Sequence, residues 1–160
     1  MKIIVNLFAG RLLINGAEYS ISNHIRTVKD GTRKTSEVIR SIPDNVPYDP
    51  RPFPKGIWEI TAIEWQEVDG KKKFDYYTYG PVKIRTNAWG YVNVWELDCD
   101  GDYLNETIRQ VKDYCYHLHY SESSTTLGCI RFASHEAAEK VARVCERILA
   151  TGEQIQLEVV

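Results

Sequence analysis

With 160 residues the chain has the length of one domain and is too short for two well-buried ones, so residues 1–160 are read as a single unit. Lys plus Arg number 20 against 22 Asp plus Glu, a net charge of −2, which excludes a protein whose main work is wrapping nucleic acid, since that needs a basic face to displace counterions. A hydrophobic share of 43% with 26% charged residues excludes both a disordered tail and a membrane bundle.

The first residues, Met1 to Phe8, carry one Lys, a short apolar run and no small-residue cleavage site, so they do not read as a secretory signal. No apolar run approaches the roughly 20 residues that cross a bilayer, and no integral membrane segment is expected. Asn15-Gly16, Asp30-Gly31 and Asp69-Gly70 suit the positive φ angles of tight hairpin loops, and the first and last have strand-like runs on both sides. Around Asp69-Gly70, Ile57 to Trp65 alternates for part of its length and Phe74 to Tyr79 is read as the returning strand. Val82 to Arg85 and Tyr91 to Leu97 show the same period of two, separated by a turn containing Asn87 and Gly90. Pro43, Pro47, Pro50, Pro52 and Pro54 crowd one segment, where missing donors exclude helix and central strand, so it is read as a structured loop.

Two helices are expected next. Leu104, Ile108, Val111 and Cys115 recur at helical spacing after the acidic stretch Asp98 to Asp102. That stretch is not a calcium loop, because Tyr103 stands where the turn glycine belongs and Arg109 where the bidentate Glu belongs. A second helix runs from a Ser134 cap through Ala138, Val141, Cys145, Ile148 and Leu149 to a Gly152 stop, and Ile155, Leu157 and Val159 alternate as a closing strand. The fold class expected is therefore α+β, mostly β, with antiparallel sheets in a sandwich-like arrangement and two helices in the C-terminal half.

The chemistry lies between Cys115 and Phe132. A thiol of ordinary pKa, about 8.5, is mostly protonated at neutral pH, so a nucleophilic Cys129 needs an imidazole to take its proton. His119, ten positions upstream, and His117 are the candidates. Gly128 lets the backbone turn closely, leaving amide N–H groups to face a developing oxyanion. Cys145, on the apolar face of its helix, and Cys115 are read as buried structural thiols, and His24 and His135 as solvated. The four cysteines, Cys99 included, are too few for a disulfide scaffold and form no C-x-x-C pair.

Thr126-Leu127-Gly128-Cys129-Ile130-Arg131 resembles the S/T-x-G-C-[IV]-R signature of the L,D-transpeptidase catalytic domain, the YkuD-like family of cell-wall enzymes. Pro54-Lys55-Gly56-Ile57-Trp58-Glu59-Ile60 is similar to the family's strand after a proline-containing loop, and Leu12 to Tyr19 to its first hairpin. The resemblance implies a thiol acyltransferase acting on peptidoglycan tetrapeptide stems, without a cofactor or metal, in the periplasm or outside the cell. It implies Cys129 as nucleophile, His119 as base, Gly128 beside the oxyanion, and Arg131, Thr126 and His117 on the substrate side. Family members usually have Gly after the His and a longer span to the Cys, whereas Tyr120 follows here, so His117 is kept as the alternate base.

Two other readings stand beside it. His117, His119 and Cys129, with Cys99 or Cys115, contain the donor types of a zinc site, since a His-x-His pair on a strand shares one face. Alternatively the chain is a catalytically inactive peptidoglycan-binding module in which Trp58, Trp65, Trp89 and Trp95 stack on sugar.

Overall fold

A computed structural model describes residues 1–25, 48–49, 51–97, 103–123, 126 and 128–160, with the backbone alone for 48–49, 94–97, 103–109 and 111. The elements in chain order are β1 (Lys2–Asn6), β2 (Arg11–Ile14), β3 (Ala17–Ser22), β4 (Tyr48–Asp49), β5 (Gly56–Trp65), β6 (Glu67–Val68), β7 (Lys71–Lys72), α1 (Tyr76–Tyr79), β8 (Val82–Thr86), β9 (Gly90–Leu97), β10 (Tyr103–Asp113), β11 (Leu118–His119), β12 (Ile130–Phe132), α2 (His135–Ala150) and β13 (Ile155–Val159).

Eight strands close into a barrel in the order β1-β13-β5-β8-β11-β12-β3-β2. This corrects the sandwich-like expectation. Alternation of apolar and polar residues specifies one buried face per strand, and that face serves the inside of a barrel as well as the inner face of a sandwich. The decision falls to long-range pairs. β1 runs parallel to β13, with Ile3 opposite Leu157, and β11 runs parallel to β12, with Leu118 opposite Ile130. These two joins remove the edges that a sandwich would leave open. Ile3, Val5, Leu12, Ile14, Ile84, Leu118, Ile130, Phe132, Ile155 and Leu157 fill the interior and are all essentially inaccessible.

α2 packs against β5, β8, β12 and β13 and adds Ala138, Val141, Ala142 and Cys145 to the same core. Its start follows the sequence reading, since the Ser134 hydroxyl accepts the Ala137 N–H at 3.1 Å. The hairpin at Asn15-Gly16 also forms, with φ of 49° and 77° at the two turn residues and Ile14 opposite Ala17.

Three local expectations change. The segment read as a helix from Leu104 to Cys115 is the strand β10, which places Ile108 opposite Trp95 and Val111 opposite Val92 of β9. Thr107, Ile108 and Val111 are β-branched, a strand partner is at hand, and a register shift between Tyr103 and Ile108 breaks the simple period of two. β9 and β10 join β4 in a three-stranded sheet outside the barrel. Phe74 to Tyr79 is not a returning strand, because the hairpin at Asp69-Gly70 ends after β6 and β7, and residues 76–79 form the single turn α1. The partners of β5 are β8 and β13 instead. Only α2 therefore lies in the C-terminal half as a helix, among the described residues. Asp30-Gly31, Pro43, Pro47, Pro50 and Cys99, with the rest of the acidic stretch, lie outside the described residues. No described helix is long and apolar enough to cross a membrane.

Candidate active site

Leu118 points into the barrel, so strand alternation turns His117 and His119 to the opposite face. Both imidazoles are buried, at 2% and 5% exposure. The parallel neighbour β12 sets Arg131 beside His119, and Cys129 stands in the loop just before it. The sequence separation of ten residues between His119 and Cys129 is thus closed by one strand pairing.

The Cys129 sulfur sits over the backbone of residues 115–117. The His117 N–H donates to it at 3.4 Å, and the protonated thiol donates to the Cys115 carbonyl, also at 3.4 Å. The carbonyl favours the thiol and the N–H favours the thiolate. A hydrogen bond from the Cys115 side chain weighs most for the thiolate, burial opposes it, and a hydrogen bond and the charge of His119 with the charge of His117 add to it. Together they hold the Cys129 pKa well below its ordinary value.

The two histidines differ in the partner of Nδ1. In His117 it accepts the Thr86 N–H at 3.4 Å, which fixes its ring proton on Nε2 in the neutral form. In His119 the Nδ1 is buried without a hydrogen-bond partner. The His119 ring is held edge-on to Tyr79, centroids 5.1 Å apart at 87°. Tyr79 in turn lies under the Lys83 ammonium at 4.4 Å, and Lys83, 3% exposed, reaches Glu64 at 3.2 Å.

The loop carrying Cys129 is built from inside. Gly128 has φ of 137°, and a Cβ there would stand 2.8 Å from the Tyr116 ring and 3.0 Å from the Arg51 carbonyl, so glycine is required by conformation and by space. The Thr126 hydroxyl accepts the Gly128 N–H at 3.2 Å and donates to the Cys129 carbonyl at 2.9 Å. Thr126 is therefore a clip within the loop, and its hydroxyl and the Gly128 amide are both engaged there. Arg131 donates Nε to the Ser121 carbonyl at 2.7 Å and lies over the Tyr120 ring at 5.2 Å, bracing the segment after His119.

Several residues of the site carry no motif. Asn23, just past β3, donates Nδ2 to the carbonyls of Gly128 and Cys129, both at 2.9 Å, and accepts the Phe53 N–H at 2.9 Å. One amide thus ties the Cys129 loop to the first hairpin and to the proline-containing segment. Thr86 donates its hydroxyl to the Tyr116 carbonyl and accepts the Ala88 N–H, holding the segment from which His117 projects. Tyr116 touches the would-be Cβ of both Gly90 and Gly128, and burial first, then Asp113 and the two cysteines, push its hydroxyl pKa upward. Nothing in the sequence around Asn23, Thr86 or Tyr116 marks these roles, which arise from carbonyls and rings that only the fold brings together.

His135, read as solvated, is half-buried and lies against Tyr120 with ring centroids 4.2 Å apart and planes tilted at 55°, whereas His24 is exposed. Of the tryptophans, Trp58 donates to the Pro54 carbonyl and Trp65 to Glu146, while Trp89 lies against Tyr91 on the outer sheet. Among the described residues no group of three or more His, Cys, Asp or Glu side chains gathers as a metal site. A cavity of about 360 Å³ between Trp58, Asn87 and Gln156 contains none of the residues around Cys129.

Compared with protein-family models, curated proteins and solved structures, the chain gives no significant match.

Proposed function

We propose that this protein is a cysteine-dependent acyltransferase of the L,D-transpeptidase type, acting on peptidoglycan tetrapeptide stems in the periplasm or outside the cell. The observation that carries the reading is a buried thiol of lowered pKa beside the His119 imidazole, whose Nδ1 has no hydrogen-bond partner to fix its tautomer. The T-x-G-C-I-R resemblance supplies the substrate class.

In this reaction His119 takes the Cys129 proton, and the thiolate attacks the carbonyl of the diamino acid at the third stem position. The N–H of Cys129 meets the oxyanion, since the neighbouring Gly128 N–H is engaged by Thr126. The C–N bond to the terminal D-alanine then breaks, and the leaving amine takes the proton back from His119. The thioester passes to the side-chain amine of a second stem, giving a crosslink, or to water, giving a trimmed tripeptide. Arg131 keeps its terminal nitrogens for a substrate carboxylate while its Nε holds Ser121.

The test is twofold. Purified tetrapeptide muropeptides should yield crosslinked or D-alanine-depleted products resolved by mass. A carbapenem should leave one acyl adduct on the wild type and none on Cys129→Ala, whose fold should be unchanged by circular dichroism. An adduct that persists in Cys129→Ala, or unaltered muropeptides with no adduct on the wild type, overturns the reading.

A further inference from the structure

Cys115 lies beside the nucleophile on a fixed backbone. Its N–H donates to Asp113 Oδ1 at 2.9 Å, its carbonyl is 3.4 Å from the Cys129 sulfur, and its thiol is the largest influence lowering the Cys129 pKa. Fourteen residues separate the pair in sequence, so the contact is a product of the fold and of the turn at Gly128. Cys115 is half-buried, and neither residue carries a disulfide. The Cys129 sulfur already lies against the backbone that carries Cys115, which meets the first requirement of a disulfide, that the chain need not move far to bring the sulfurs together. The third described cysteine differs. Cys145 lies fully buried in the core on α2, and burial pushes its thiol pKa up to about 12, where it neither ionises nor reacts.

We propose that Cys115 and Cys129 form a dithiol site at which a peroxide oxidant closes a disulfide, silencing the nucleophile until a dithiol reductant reopens it. In the first step the Cys129 thiolate attacks hydrogen peroxide, the O–O bond breaks, and Cys129 sulfenic acid and water result after uptake of one proton. In the second the Cys115 sulfur attacks the sulfenic sulfur, the S–O bond breaks, and hydroxide leaves with the Cys115 proton as water. Two thiols and one peroxide give one disulfide and two waters. A reducing dithiol reverses the bond by exchange and leaves as its own disulfide. Cys115 thereby also spares Cys129 from the further oxidation to sulfinic acid that is not reversed by thiols. That this closes an active site rests on the acyltransferase reading, whereas formation of the bond does not.

Reduced full-length protein is treated with hydrogen peroxide, quenched with N-ethylmaleimide, and analysed by intact mass and non-reducing peptide mapping. The expected result is loss of two hydrogens, a linked peptide joining Cys115 and Cys129, loss of carbapenem acylation, and recovery of both thiols with dithiothreitol. Cys115→Ser and Cys115→Ala should give no such link and should accumulate sulfinic Cys129 that dithiothreitol does not rescue, while Cys145→Ser behaves as wild type. A linkage through Cys99, or sulfinic Cys129 in the wild type as readily as in the Cys115 variants, overturns the proposal. If the link forms but the reduced protein takes no carbapenem, the acyltransferase reading fails and the dithiol site stands. Acylation without the link overturns the dithiol site and leaves the acyltransferase reading in place.

Discussion

His117 and His119 both bear on Cys129 and differ at Nδ1: the Thr86 N–H pins the His117 ring proton on Nε2, whereas no hydrogen bond holds the His119 Nδ1, so its Nε2 stays open to take the thiol proton. His119→Gln should therefore lower carbapenem acylation at least about a hundredfold, the lower end of general-base contributions, and His117→Gln much less. Stopped-flow acylation rates of the two variants, each checked for folding, decide the order. The lowered pKa of Cys129 gives a second expectation. Alkylation by iodoacetamide should stay fast well below the ordinary thiol pKa of about 8.5 and fall only as pH drops through the folded value. Cys115→Ala removes the largest stabilising contact and should move that profile upward in pH. The sign for stability is the same: the ionised sulfur contributes above the unfolded thiol's pKa, and the contribution is lost as pH falls through the depressed folded one. The T-x-G-C-I-R stretch and the His-x-His pair, singled out in the sequence, are brought side by side by the β11–β12 pairing. Asn23 and Thr86 do not stand out there, because their roles arise from carbonyls that only the fold brings within reach.

Among elements, β8 does more for the site than its alternating sequence suggests. It supplies Thr86 to His117 and carries Lys83 opposite His119 in the β8–β11 register. Lys83 is buried between the Tyr79 ring and Glu64, and Glu64 is shared with Arg85 at 2.9 Å. Burial works to raise the Glu64 pKa, and the hydrogen bonds and charges of Arg85 and Lys83 overcome it, leaving it lowered. Glu64→Gln removes the carboxylate partner of the buried Lys83 ammonium and should cost about 2 kcal/mol, less than a fully buried pair because Glu64 is itself partly exposed. Urea unfolding at neutral pH measures it. The loss should shrink as pH falls through the lowered Glu64 pKa, where the wild-type carboxylate is protonated too. Elements whose partners are near in sequence, the Asn15-Gly16 hairpin and the capped helix α2, were legible at residue level. β10 was not, since Leu104, Ile108, Val111 and Cys115 satisfy a helical spacing while β9 offers a strand edge that no local pattern announces.

For the whole molecule, the decisive contacts join the chain's distant parts. β13 lies between β1 and β5, pairing Leu157 with both Ile3 and Trp58, so removing residues 155–160 opens the barrel and exposes two edges at once. Such a truncated protein should lose its cooperative thermal transition and bind a hydrophobic dye, whereas shortening the β6–β7 hairpin, which stands apart from the barrel wall, should leave the transition in place. Closure of this kind has a consequence in time. The surroundings of Cys129 draw on Asn23 after β3, Phe53, Thr86 of β8, and the β11–β12 pair, so no contiguous segment can assemble them early. Pairings of such long sequence separation form slowly. During refolding, the far-ultraviolet circular dichroism of α2 should therefore recover before the thiol acquires its heightened reactivity, and a pulse of maleimide delivered along the way would read Cys129 as the clock that records when the last strands meet.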